Sequence, residues 1–118
     1  MLDVFYRKVG GDYSNVHYRL DDDETILLFL EKFLREDSYQ NFLKCYAVHD
    51  EKEACRYINT LKSVSLNLGF GDLFRISEEI ANEFRAGFPD LTVDQFAVLE
   101  RRYDTVIEEI REVFQKSY

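Results

Sequence analysis

Between residues 50 and 68 the apolar side chains Ala54, Tyr57, Ile58, Leu61, Val64 and Leu68 recur at intervals of three and four. That spacing places them on one face of a helix. No window of the chain shows the period-two alternation of β-branched residues that a half-buried strand requires. Turned by half a revolution, the same helix presents Cys55, Arg56, Asn59, Lys62, Ser63 and Leu66. The apolar face is assigned to the core and the other, with Asn59 at its centre, to solvent.

Start and stop signals divide the rest of the chain into further helical pieces. A short opening turn is expected over residues 2–9, and Gly10-Gly11 separates it from a brief helix over 12–20 with Tyr13, Val16 and Leu20 on one side. The acidic run Asp21-Asp22-Asp23-Glu24 lacks the alternating oxygen ligands and turn glycine of a calcium loop, whereas Asp21 and Glu24 have capping-box spacing. The run therefore reads as a helix start. Ile26, Phe29, Leu30, Phe33 and Leu34 are expected to face inward from a helix over 23–35, and Tyr39, Phe42, Leu43 and Tyr46 from a second over 38–48.

Asp50 and Glu53 form another capping-box pattern and open the central helix. Gly69 closes it in the left-handed conformation, with Phe70 making the apolar contact across the cap. Leu73, Ile76, Ile80 and Phe84 mark an amphipathic helix over 72–86, which Gly87-Phe88-Pro89-Asp90 stops. Thr92 with Gln95 then caps a long last helix carrying Phe96, Leu99, Tyr103, Val106, Ile110 and Val113. The predicted fold is one all-α domain, residues 1–118. An N-terminal helical cap over 1–20 lids one end of an antiparallel up-down four-helix bundle over 21–118.

Composition narrows the function. A net charge of −8 gives a field that repels nucleic acid and anionic lipid, and no basic cluster offsets it, so neither nucleic acid nor membrane is an expected partner. The longest purely apolar run, residues 26–30, is far shorter than the ~20 residues that span a bilayer, and nothing at residues 1–10 directs export. Cys45 and Cys55 are lone thiols without CxxC spacing, and with His17 and His49 they do not make a zinc site. No metal or cofactor is expected, and the reading places the chain in the cytoplasm.

The segment Ile58-Asn59-Thr60-Leu61-Lys62-Ser63-Val64-Ser65-Leu66-Asn67-Leu68-Gly69 resembles the signature of histidine-containing phosphotransfer (HPt) domains. In that family a helix carries His-x-Leu-Lys-Gly-Ser/Ala, followed a turn or two later by Asn-Leu-Gly. Thr60-Leu61-Lys62 and Asn67-Leu68-Gly69 match, whereas Asn59 stands at the phosphoacceptor histidine and Ser63 at the glycine. The specific match covers residues 58–69; elsewhere the order of elements is similar. The resemblance implies a carrier in a multistep phosphorelay, without a nucleotide or metal site of its own. Its partner would be the receiver domain of a response regulator or of a hybrid histidine kinase.

Two substitutions argue against the carrier's chemistry. Neutral imidazole, with a pKa of about 6.5, offers a nitrogen lone pair near neutral pH, whereas an amide nitrogen delocalises its pair into the carbonyl. Ser63 adds a hydroxymethyl group where the family leaves space beside the acceptor. Lys62 keeps the ammonium that the resemblance places beside phosphoryl oxygens, and it can still pair with acidic groups of a receiver. The expectation is a pseudo-HPt module, not an enzyme, that docks through Cys55, Arg56, Asn59, Lys62, Ser63 and Leu66. Two alternatives stand beside it: phosphotransfer through His17 or His49, and a helical scaffold or dimerisation unit without a signalling role. Ser65 reads as a small spacer at a helix contact, because no His or Asp is placed to activate it.

Overall fold

A computed structural model describes residues 1–116. Ser117 and Tyr118, which the sequence reading includes in the bundle, lie outside the described residues. Among those residues the chain is all-helical: α1 (Leu2–Lys8), α2 (Tyr13–Leu20), α3 (Asp23–Phe33), α4 (Ser38–Ala47), α5 (Glu51–Leu68), α6 (Gly71–Glu83), a 3-10 turn (Phe84–Ala86) and α7 (Val93–Lys116). From α4 onward each helix packs against the next, while α1 packs against α2 and α7, α2 against α3, and α3 against α5. None of the helices is long and apolar enough to cross a membrane.

The core contains the apolar faces read from the spacing. Ala54, Ile58, Leu61 and Leu68 of α5 are buried, as are Leu73, Ile76 and Ile80 of α6 and Leu99, Tyr103, Val106, Ile110 and Val113 of α7. Tyr57 and Val64 are only half-buried at the flank of the α5 stripe. Phe29 departs from expectation: it points outward beside the exposed Leu28, and the Lys32 ammonium sits 5.5 Å from its ring centroid.

The N-terminal segment is more than a lid. Residues 2–8 form a helix instead of a turn, and Phe5 and Tyr6 are fully buried. Phe5 meets Phe70 edge-on with ring centroids 5.9 Å apart. Close approach of two backbones allows this. A Cβ on Gly11 would lie 2.1 Å from the Gly69 carbonyl oxygen, and one on Gly71 would lie 2.1 Å from the Gly10 carbonyl oxygen. Only glycine permits segments 10–11 and 69–71 to cross at that distance.

Helix ends follow the caps with one exception. Thr92 and Gln95 make both bonds of a capping box: the Thr92 N–H donates to Gln95 Oε1 at 2.9 Å, and the Gln95 N–H donates to Thr92 Oγ1 at 3.0 Å. Asp50 accepts from the Glu53 N–H at 3.2 Å. At α3 the cap is Asp22, which accepts from the Thr25 N–H at 2.8 Å. Asp21, the expected cap, has φ 74° and belongs to the turn that reverses the chain after α2. The amphipathic pattern expected over 72–86 begins one residue earlier and ends in the 3-10 turn, where Phe84 is still buried.

Candidate functional site

The site is built on the outward side of α5, and its placement depends on how firmly the end of that helix is held. Gly69 adopts φ 80°; its N–H donates to the Leu66 carbonyl at 3.2 Å and the Phe70 N–H donates to the Ser65 carbonyl at 2.8 Å. This is a Schellman termination with Phe70 buried beneath it. The next two carbonyls are taken by distant side chains. Arg19 Nη1 donates to the Asn67 carbonyl at 3.0 Å, and the Tyr6 hydroxyl donates to the Leu68 carbonyl at 2.8 Å. The last turn of α5 has no basic residue of its own, so Arg19 supplies the cation that the negative end of the helix dipole favours.

The six residues expected to form one face do share a side of α5, but not equally. Arg56, Ser63 and Leu66 are exposed, Leu66 at 55%. Cys55, Asn59 and Lys62 are half-buried. The exposed crest runs through Lys52, Arg56, Ser63 and Asn67, and Asn59 stands on its shoulder.

Asn59 is also tied down. Its Nδ2 donates to the Cys55 carbonyl at 2.9 Å and lies 3.4 Å from Cys55 Sγ. The amide is thus folded back along the preceding turn. Arg56 is drawn aside by its ion pair with Glu53 and lies over the Tyr57 ring, 4.2 Å from the centroid. The Glu53 hydrogen bond holds the Arg56 pKa above its ordinary value, so this group is a fixed cation. Lys62 makes no ion pair among the described residues. The arrangement offers an unpaired ammonium, a half-buried amide and an exposed leucine, and it contains no nucleophile activated by a base.

The two histidines lie elsewhere. His17 is exposed on α2, with Nε2 3.8 Å from Asp23 Oδ1 and its ring edge-on to Tyr13 at 5.6 Å. His49 has φ 57° in the turn before α5 and stacks on Phe88 at 4.6 Å. Lys52 follows His49 by three positions, but His49 precedes the Asp50 cap, so the pair does not share a helix face. Reasoning from local spacing missed Arg19, because its role comes from a contact across 48 residues.

Comparison of the chain with protein-family models, with curated proteins and with solved structures found no match.

Proposed function

We propose that this chain is an interaction module of the phosphotransfer type with a silenced acceptor position, and that it acts by docking on a receiver domain of a response regulator or hybrid histidine kinase. In this reading residues 21–118 form the antiparallel up-down four-helix bundle, with α3 and α4 together as its first member, and α1 and α2 cap one end. The pairwise packing of consecutive helices from α4 to α7 supports that arrangement.

The observation that carries the reading is position 59. An amide sits on the solvent side of the central helix, tethered to the Cys55 carbonyl, with the unpaired Lys62 one turn further on. The tether leaves recognition groups in place while presenting no imidazole lone pair. A cation held beside a partly sheltered polar group is suited to meet the acidic pocket of a receiver.

Calorimetric titration of the purified protein against the receiver domains of its host, with and without phosphorylation, tests the proposal. Saturable binding to at least one of them is expected, without transfer of acid-labile phosphate to the chain. Failure to bind any receiver overturns it. Label acquired by the wild type and lost in His17→Ala or His49→Ala would instead establish transfer through that histidine.

A further inference from the structure

At the C-terminal end of the exposed crest of α5, where Leu66 and Asn67 form part of its lining, a hollow of about 410 Å³ opens between α2, the end of α5 and the first turn of α6. Val16, Leu66 and Phe74 give it apolar walls, Arg19 and Asn15 a polar rim, and Ser65 part of its lining. Two features of the lining are unusual for an idle surface depression.

The first is the state of Arg19. Its Nε donates to Asn15 Oδ1 at 3.0 Å and its Nη1 donates to the Asn67 carbonyl at 3.0 Å. One contact comes from α2 and the other from α5, so the guanidinium plane is fixed from two sides before anything binds. Among the described residues no carboxylate lies within ion-pairing distance of it. What sets it apart from the other unpaired cations is this two-sided hold, which fixes the plane of the guanidinium at the edge of the hollow. Its remaining N–H groups can still form the parallel pair of bonds that a carboxylate accepts.

The second is Ser65. It is fully buried, and its hydroxyl has no hydrogen-bond partner. Buried hydroxyls are nearly always satisfied, by protein or by something held in the adjoining space. Ser77 is also buried and unpartnered, but it is not part of the hollow, which makes it a natural control. Asp12 also lines the hollow, with Oδ1 receiving the Asn15 N–H at 3.4 Å. Its charge disfavours a polyanion, so a ligand with a single negative charge suits the lining.

We infer that this hollow is a binding site for a small organic monocarboxylate with an apolar body and a polar substituent near the acid group. The carboxylate sits on the Arg19 guanidinium, the body lies against Val16, Leu66 and Phe74, and the substituent displaces the side chains that cover the buried Ser65 hydroxyl and pairs with it. The hollow shares Leu66 with the proposed docking face, but the inference is argued from its own lining and not from that docking role.

Phenyllactate has these three parts and serves as the probe, titrated into the full ¹⁵N-labelled chain with backbone amide shifts as the readout. Saturable shifts are expected at Asn15, Arg19 and the 65–71 segment. The neutral amide of phenyllactate and the Arg19→Gln variant should each bind about tenfold more weakly, the loss expected when a charge-assisted pair is removed. Arg19→Lys should fall between, because it keeps the charge and loses the fork. Ser65→Ala should weaken phenyllactate but not phenylpropanoate, which lacks the hydroxyl, and Ser77→Ala should change neither. The spectrum of each variant shows directly whether it is folded. No saturable shift with phenyllactate, equal binding of its neutral amide, or the same shifts with inorganic phosphate alone would overturn the inference.

Discussion

The Tyr6 hydroxyl donates to the Leu68 carbonyl at 2.8 Å, linking residues 62 positions apart and fastening α1 to the end of α5. The bond is buried, and the Tyr6 ring packs edge-on against Phe5 at 4.9 Å and stacks on Tyr13 at 6.2 Å. Through it the N-terminal helix becomes part of the frame that fixes the candidate docking helix. Tyr6→Phe keeps the ring and leaves the Leu68 carbonyl without this donor, so it should cost about 1–3 kcal/mol. Urea denaturation followed by circular dichroism should show a lower midpoint with an unchanged slope.

Burial also makes Tyr6 a source of alkaline sensitivity. Desolvation raises its pKa well above the ordinary 10.0, and desolvation with the nearby Glu100 and Asp104 charges pushes Tyr39 up to about 12. Both groups hold their protons more tightly folded than unfolded. Their contribution is complete below the unfolded pKa of about 10 and is lost as the pH rises from there through the folded values. Stability measured by urea titration should therefore be level, as far as these groups contribute, up to about pH 9 and fall above about pH 10. The fall should be shallower in Tyr6→Phe, relative to that variant's own neutral value.

Gly69 is fixed by its backbone and by its neighbours together. At φ 80° an L-residue is strained, and a Cβ there would lie 2.3 Å from Val16 Cγ2 and 3.1 Å from the Tyr6 ring. Gly69→Ala should lose about 1–2 kcal/mol from the left-handed conformation alone, with the Val16 clash added. Thermal unfolding should show the drop, and amide exchange should quicken first in the last turn of α5.

What was legible in the sequence was local. Thr92 and Gln95 form the capping box that their spacing announces, and Gly69 with Phe70 closes α5 as a glycine after an apolar stripe should. Periodicity puts Asn59 and Lys62 on the outward side of α5, and the structure finds both there but half-buried beside the exposed crest, with Asn59 off its centre. What was missed required contacts between distant segments. The seven residues of α1 are too few for periodicity to identify, and the helix stands because Phe5 is buried against Phe70 and Tyr6 against Tyr13 with its hydroxyl on the Leu68 carbonyl. Asp21 lost the cap to Asp22 because the turn after α2 uses it at positive φ. The tether from Asn59 to Cys55 is local, but an asparagine has several such partners, and sequence spacing does not choose among them.

The tether bears directly on whether the acceptor position can be revived. Asn59→His replaces the folded-back amide by an imidazole on the same half-buried shoulder, with Lys62 beside it. On the proposed reading, incubation with a phosphorylated receiver should then give an acid-labile, alkali-stable label absent from the wild type. Ser63 is exposed, so Ser63→Gly clears the approach without opening the core, at a helix-propensity cost of about 0.5–1 kcal/mol. The double variant should label faster than the single one. No label in either would show that the docking face itself does not fit a receiver.

Lys62 separates docking from folding. It has no ion-pair partner among the described residues, so Lys62→Gln, which keeps most of the stem, should change stability by no more than about 0.5 kcal/mol. If the ammonium meets the acidic pocket of a receiver, the same change should weaken binding about tenfold, the scale of one charge-assisted contact at an interface. Lys62→Glu should weaken it further, because a second carboxylate would then face the pocket. Raising the salt concentration should weaken the wild-type complex and narrow the gap between the variants, since screening acts on attraction and repulsion alike. Equal affinity of all three proteins at low salt would remove Lys62 from the interface and with it the principal electrostatic argument for a receiver as the partner.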